Sequence, residues 1–506
     1  MNFKILSKEK LKTIKNFQCF SFLISEINSL KEHPLFVFLN EKDKEYFLKI
    51  LENLFQDEKD TITLNFISNP KNYAIFLKKQ KNWILRKRQY DIRKIIRLAK
   101  NLKLENLIFY LNDFSHNLLT EKENIETLVE NILMADYDYL KYKEKKENIK
   151  KLTTIYILVD KKTNQIKQGL KEGIIIGKEV NECRDLANTP GGDLTPSKIV
   201  DYVKRGSKKI KNLNVKILTE KEIKKLSMGG ILGVSRGSQE KPYFIILKYF
   251  GTSKKEKPLV FIGKGVTFDS GGLNIKLKEA MSEMYLDMSG GSAVINGIQA
   301  IAKLGLPINV VGLVPVVENM LSGSSYRPGD ILKTISGKTI EVINTDAEGR
   351  IILADAIGYA KRYNPKIIID IATLTGAALI ALGQRMSAFF TNDENLVNII
   401  KEIGERSGDY VWQLPLWEEY AEDIKGDFGD VRNVGKNQYG GTIEGAIFLK
   451  QFIGEIPWIH LDIAPTMTTI EEQNLAKGAS GVGVRFLAEL ARKYAKNNEK
   501  NKNSEK

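Results

Sequence analysis

From about residue 166 onward, apolar runs rich in β-branched residues alternate with helical patterns rich in small residues, and glycines cluster where the runs end. Val260–Ile262, Val310–Val316 and Ile367–Ile371 read as buried strands, because a continuous apolar run suits a strand covered on both faces. Between them, Ser289–Leu304 and Ile351–Arg362 follow helical spacing, the second with Leu353, Ala356, Ile357 and Ala360 on one face. This alternation predicts an α/β fold with a central, mostly parallel or mixed sheet and ligands at the carboxyl ends of its strands.

Residues 1 to about 165 differ in character. They are rich in Lys, Asn, Phe and Leu and poor in Gly, and Leu35–Leu39, Leu107–Leu111 and Ile155–Val159 read as strands between charged helical stretches. At 506 residues the chain has room for several domains. The expected division is an N-terminal α/β domain over 1–165, a second α/β domain over 166–495, and a polar tail over 496–506 without fixed structure. The charged run Lys141–Lys151 reads as surface near the boundary.

Two Cys (Cys19, Cys183) and three His (His33, His116, His460) occur in the whole chain. A disulfide scaffold and the Cys- or His-based zinc modules are excluded, as is an H-E-x-x-H helix. A metal here has to be held by carboxylates. The longest apolar stretch, Ile367–Gly383, is interrupted by Asp370, Thr373 and Thr375, short of the ~20 apolar residues of a membrane span. With no leader-like segment at the start, a cytoplasmic protein is expected.

The formal charge is +15. One stretch, Lys78–Lys100, carries ten basic residues against Asp91, with Trp83 and Tyr90 interleaved. It admits two readings. One is a nucleic-acid-binding face with stacking aromatics. The other, favoured because Lys recurs along the whole chain, is an amphipathic helix with Ile84, Ile92, Ile95, Ile96 and Leu98 toward a core.

Two short motifs point elsewhere. Ser336-Gly337-Lys338-Thr339 ends like a phosphate-binding loop, but Leu332 stands where that loop needs its first glycine. Gly233-Val234-Ser235-Arg236-Gly237 matches the nucleophile elbow of serine hydrolases, which would use Ser235 with His460. That elbow requires a preceding strand, whereas Met228-Gly229-Gly230 reads as a loop.

The densest chemistry lies between 262 and 350. Gly263–Lys276 follows a strand and contains Lys264, Asp269 and Lys276; Asp287 opens the small-residue helix; Asn344-Thr345-Asp346-Ala347-Glu348-Gly349-Arg350 precedes another helix. A single acid at a loop end is commonly a helix cap. Four acids, two lysines and an arginine at strand-to-helix junctions ask for more. Asp269, Asp287, Asp346 and Glu348 in one crevice require cationic compensation, which two divalent metals ~3.5–4 Å apart supply. Lys276 and Arg350 then remain for a developing oxyanion or a small anion, Arg350 at a helix start that favours one.

The heptapeptide Asn344–Arg350 resembles the signature of the leucyl aminopeptidase family, and Gly263–Lys276 resembles its first metal-binding segment. Asn188-Thr189-Pro190, Met228–Ser238, Asp370–Gly376 and His460-Leu461-Asp462-Ile463-Ala464 are similar to further segments of that family in the same order. The resemblance covers roughly 180 to 490. It implies a variable N-terminal domain followed by a catalytic domain, a cytosolic metallo-aminopeptidase that removes leucine or another bulky apolar residue from short peptides with a free N-terminus, and a homohexamer. Residue by residue, it implies one divalent metal (Zn²⁺, Mn²⁺, Mg²⁺ or Co²⁺) on Asp269, Asp346 and Glu348, and a second on Lys264, Asp269, Asp287 and Glu348. Lys276 is expected to stabilise the tetrahedral intermediate, and Arg350 to hold a bicarbonate ion. Met284 is expected at the pocket for the first side chain, and the Leu374 backbone against the peptide. Tyr285, Ser289, Gly291 and Pro465-Thr466-Met467 depart from the family pattern without touching these positions. His460 reads as a structural, hydrogen-bonded histidine.

Overall fold

The computed structural model describes the chain except residues 12–13, 15–16, 57–59, 145–151 and 505–506, so most of the charged run at 141–151 lies outside the described residues. It divides into two compact units: Met1–Lys178 with Ile470–Ala476, and Glu179–Thr469 with Lys477–Lys506.

The first unit is built on six strands: β1 (Asn2–Ser7), β2 (Cys19–Ile24), β3 (Thr61–Asn65), β4 (Tyr73–Lys78), β5 (Asn106–Tyr110) and β6 (Thr154–Val159). Their order is β1-β6-β5-β2-β4-β3, parallel throughout except for the antiparallel edge strand β3. β5 and β6 fall where the apolar runs predict strands. Leu35–Leu39 does not form one. Pro34 opens a short helix, Pro34–Val37, because its fixed φ suits the first helical position and the His33 ring accepts the Leu35 N–H at 3.2 Å. The basic stretch forms the helix Leu85–Asn101, whose Ile92, Ile95, Ile96 and Ala99 are buried. Its cations are largely engaged within the unit. Arg88 is buried against the Phe114 and Asn124 carbonyls and the Thr127 hydroxyl, Lys94 pairs with Asp60, and Lys100 pairs with Asp138. Tyr90 carries Arg93 over its ring, and the Trp83 indole N–H donates to Asp91.

The second unit contains a nine-stranded mixed sheet. Its strands are β7 (Leu213–Leu218), β8 (Tyr243–Phe250), β9 (Leu259–Gly263), β10 (Gly265–Asp269), β11 (Asn309–Asn319), β14 (Ile367–Ala372), β15 (Ser387–Thr391), β16 (Val411–Gln413) and β18 (Trp458–Asp462). The order is β16-β15-β18-β14-β9-β11-β8-β7, with β10 beside β11. A small sheet joins β12 (Ile331–Lys333), β13 (Thr339–Glu341) and β17 (Val431–Arg432). β9, β11 and β14 coincide with the three β-branched runs and lie adjacent and parallel at the centre, apolar on both faces. Helices Ser289–Leu304 and Glu348–Ala360 pack on opposite sides, each within its own buried cluster. Two expectations are corrected. Gly229 and Gly230, expected in a loop, open the helix Gly229–Ser235, and within the expected 496–506 tail the helix Val484–Ser504 runs on to residue 504, while 505–506 lie outside the described residues.

Candidate metal centre

The centre assembles where β9, β10 and β14 end, at the carboxyl edge of the parallel strands. β9 passes directly into β10, which places Lys264 between them and Asp269 at the end of β10. The helix Ser289–Leu304 seats very close to the sheet: a Cβ on Gly290 would lie 2.1 Å from the Ile371 carbonyl oxygen, and one on Gly263 would lie 2.4 Å from that of Gly290. Only glycine permits that approach, which carries Asp287 to the same edge. Glu348 begins the helix Glu348–Ala360, its carboxylate at the positive end of the helix dipole.

The carboxylates of Asp269, Asp346 and Glu348 each offer an oxygen within 4.8 Å of the others. Lys264 Nζ lies 2.8 Å from Asp287 Oδ1 and 2.7 Å from Glu348 Oε1, and donates to the Thr373 carbonyl at 2.9 Å. Lys276 Nζ lies 2.9 Å from Asp269 Oδ2 and pairs with Asp346. Four carboxylates thus face two ammonium groups, leaving excess negative charge in a buried crevice. Burial pushes Asp269 well above the usual carboxylate range, reinforced by the charges of Glu348 and Asp287. Burial likewise pushes Asp287 up to about 7. Burial opposes the charge on Glu348 too, but Lys264 and Lys276 hold that carboxyl below its ordinary value. Burial would lower both lysines; the surrounding acids override it and raise them.

These residues fit divalent cations. The donors are hard carboxylate oxygens, and Asp287 Oδ2 is buried with no hydrogen-bond partner among the described residues. The shell outside them is built. Thr373 Oγ1 donates to Asp287 Oδ1 at 2.7 Å. Asp462 accepts the Leu374 N–H at 3.1 Å and the Thr375 hydroxyl at 2.6 Å, fixing the turn that carries the Thr373 carbonyl. Arg350 is buried and donates to the Asn433 carbonyl at 2.7 Å, while its Nε is buried without a hydrogen-bond partner among the described residues. Asn433 itself receives the Ile343 N–H at 2.7 Å and donates to the Asn344 carbonyl at 2.6 Å, tethering the heptapeptide loop. Met284 lies half-buried in the short turn before Asp287, and Leu374 is half-buried beside Gly445. Asn319, Tyr326 and Asn433 carry no spacing signal in the sequence. Asn319 merely closes the apolar run of β11.

The other motifs are not assembled for catalysis. Ser235 ends a helix, and its hydroxyl donates to the Leu232 carbonyl at 3.2 Å. His460 is wholly buried, Nδ1 at 2.5 Å from Asp370 and its ring stacked on Trp458 and Phe390.

A crevice of carboxylates and lysines at the strand ends of a mixed α/β sheet defines a metal-dependent hydrolase. The catalytic-domain model of the cytosol aminopeptidase family matches residues 181–488. The chain belongs to that family, and it is a metal-dependent aminopeptidase acting on peptides with divalent metal ions. It is 46% identical over 365 residues to a probable cytosol aminopeptidase of Nitrosococcus oceani, covering 72% of each chain. It is 42% identical over 403 residues to one from Roseiflexus castenholzii, covering 78% of this chain and 81% of that one. Among solved structures, the bottromycin maturation enzyme BotP in complex with Mn superposes with a TM-score of 0.81 at 26% identity, over 94% of this chain and 99% of the other. No described helix is long and apolar enough to cross a membrane.

Proposed function

We propose that Asp269, Asp346 and Glu348 hold one divalent cation and that Asp269, Asp287, Glu348 and Lys264, as the neutral amine left once its proton is displaced, hold a second, and that the protein releases leucine or another bulky apolar residue from peptide N-termini. The observation that carries this reading is the convergence of three carboxylates within 4.8 Å beside the Lys264–Asp287–Glu348 cluster. Two bound divalent cations supply Lewis acidity and a water acidified enough to attack an amide at neutral pH. The ammonium of Lys276, held at the mouth of the cluster, polarises the scissile carbonyl and stabilises the oxyanion that forms on it. Arg350, at a helix start and with a buried Nε that has no hydrogen-bond partner among the described residues, binds a small anion such as bicarbonate, positioned to take a proton. Asp287, at the inner end, faces the peptide's α-amine, so that only a free N-terminus fits. Met284 forms a wall of the first side-chain pocket, and the main chain at Leu374 orients the substrate backbone.

Zn²⁺ and Mn²⁺ both suit this donor set, and Mn is the ion named for the BotP structure. The remaining elements of the reading are a homohexamer in the cytoplasm and a catalytic domain over 166–495 following an N-terminal domain over 1–165.

Hydrolysis of a leucine anilide tests the proposal. Activity is expected to vanish with chelator, to return with Mn²⁺ or Zn²⁺, and to be absent in Asp346→Ala. Chelator-resistant activity that Ser235→Ala removes would overturn it in favour of a serine hydrolase. Light scattering reads the assembly, a hexamer being the expected mass.

A further inference from the structure

We propose that Asn319 is a positioning residue that ties the two ligand-bearing loops together and sets the cation affinity of the centre; this rests on the ligand assignment above. Asn319 ends β11, is wholly buried, and lies in register with Asp269 of β10. Its main-chain carbonyl accepts both the N–H (2.9 Å) and the hydroxyl (2.8 Å) of Ser270. Its side-chain Nδ2 donates to Asp269 Oδ1 at 2.8 Å and to the Thr345 carbonyl at 2.9 Å. One carboxamide therefore uses both N–H groups on two loops far apart in sequence, one carrying Asp269 and the other running directly into Asp346.

Chemistry sets the orientation of that carboxamide. Both neighbours are acceptors, so turning the group over would press its oxygen against a carboxylate and a carbonyl. Asn319 Oδ1 is buried and has no hydrogen-bond partner among the described residues, an unfavourable arrangement that a side chain present only for packing has no reason to keep. The donors are what the position supplies. Their effect on Asp269 is directional: Oδ1 is engaged by Asn319 and by the Gly271 N–H (2.9 Å), which leaves Oδ2 turned toward Lys276 and the crevice. Other groups also stitch the loops. The Tyr326 hydroxyl donates to the Thr345 carbonyl at 2.6 Å, and Thr345 Oγ1 donates to the Gly271 carbonyl at 2.6 Å. Of the uncharged side chains in this stitching, Asn319 is the one bonded to a candidate ligand's carboxylate.

Outer partners of metal ligands typically govern affinity by about ten- to a hundredfold. The test is calorimetric titration of the metal-stripped full chain with Mn²⁺, with the melting temperature of each metal-free protein recorded alongside. Asn319→Leu removes the donors; Asn319→Asp keeps the shape but presents acceptors, and it decides the matter should the leucine variant not fold. Both are expected to weaken Mn²⁺ binding roughly ten- to a hundredfold, and more than Tyr326→Phe, which removes only the second donor to Thr345. Wild-type affinity in both Asn319 variants overturns the proposal, as does an equal loss in Tyr326→Phe. Asp269→Asn separates the two levels. If that variant binds Mn²⁺ as tightly as wild type, the ligand assignment falls and takes this proposal with it. If it binds weakly while the Asn319 variants bind normally, the proposal alone falls.

Discussion

Asp355, five residues beyond Arg350 in the helix Glu348–Ala360, is wholly buried and accepts the N–H groups of Ile231 and Ile335, each at 2.9 Å. Burial pushes its carboxyl up to about 7 from an ordinary 3.8, against the lowering effect of those N–H bonds. The folded chain therefore keeps a proton that the unfolded chain releases, so the contribution to stability is present below about pH 4 and lost as pH rises through about 7. Denaturation midpoints of wild type are expected to fall across that window, and Asp355→Asn to flatten the slope. An unchanged slope would assign the titration to another group. At this scale the acids of the centre were legible, because four acids with two lysines and an arginine at strand-to-helix junctions exceed what helix capping uses. Asn319, Tyr326 and Asn433 were not. Their partners are set by the register of β10 with β11 and by the return of β17 alongside β13, and neither leaves a local pattern.

The seat of the helix Ser289–Leu304 shows how an element positions chemistry. Gly290 sits against the Ile371 carbonyl and Gly291 against that of Lys264, so the helix start cannot shift outward without moving Asp287. Gly290→Ala is expected to lose about 1–3 kcal/mol of stability and most peptidase activity. Gly323→Ala, where nothing lies within 4 Å of the added Cβ, is expected to match wild type in melting temperature and in leucine-anilide rate. Equal behaviour of the two variants would show that the contact is not tight. The same elements mark what the sequence could tell. Long β-branched runs gave β9, β11 and β14 correctly, since a fully covered strand needs nothing but apolar residues. The short segments at Leu35–Leu39 and Met228–Gly230 misled, because helices of one or two turns are decided by a proline, a cap and tertiary packing rather than by periodicity.

For the whole molecule, the excess of +15 describes the surface of a Lys-rich chain, while the metal centre is locally acidic. Much of the positive stretch at 78–100 serves the first unit internally. Arg88 is the clearest case, its guanidinium held by the Phe114 and Asn124 carbonyls and Thr127. Burial lowers its pKa to about 9, with Glu130 opposing that shift. Arg88→Met is expected to strand those acceptors at ~1–3 kcal/mol each and to lower the calorimetric melting temperature. An unchanged melt would free Arg88 for another role. The N-terminal third could be read only as strand-helix alternation, because it carries no chemical motif. The catalytic portion was readable because its chemistry is concentrated in contiguous segments.

β18 enters the central sheet between β14 and β15, and Asp462 at its end fastens the turn at Leu374 and Thr375 whose carbonyl neighbour holds Lys264. Every proposed ligand has been translated once Glu348 is made, yet the gap in the sheet closes only after residue 462 has been added. A growing chain therefore carries the acids of a peptidase without the frame that aligns them, and competence to cut peptides waits for β18 and Asp462.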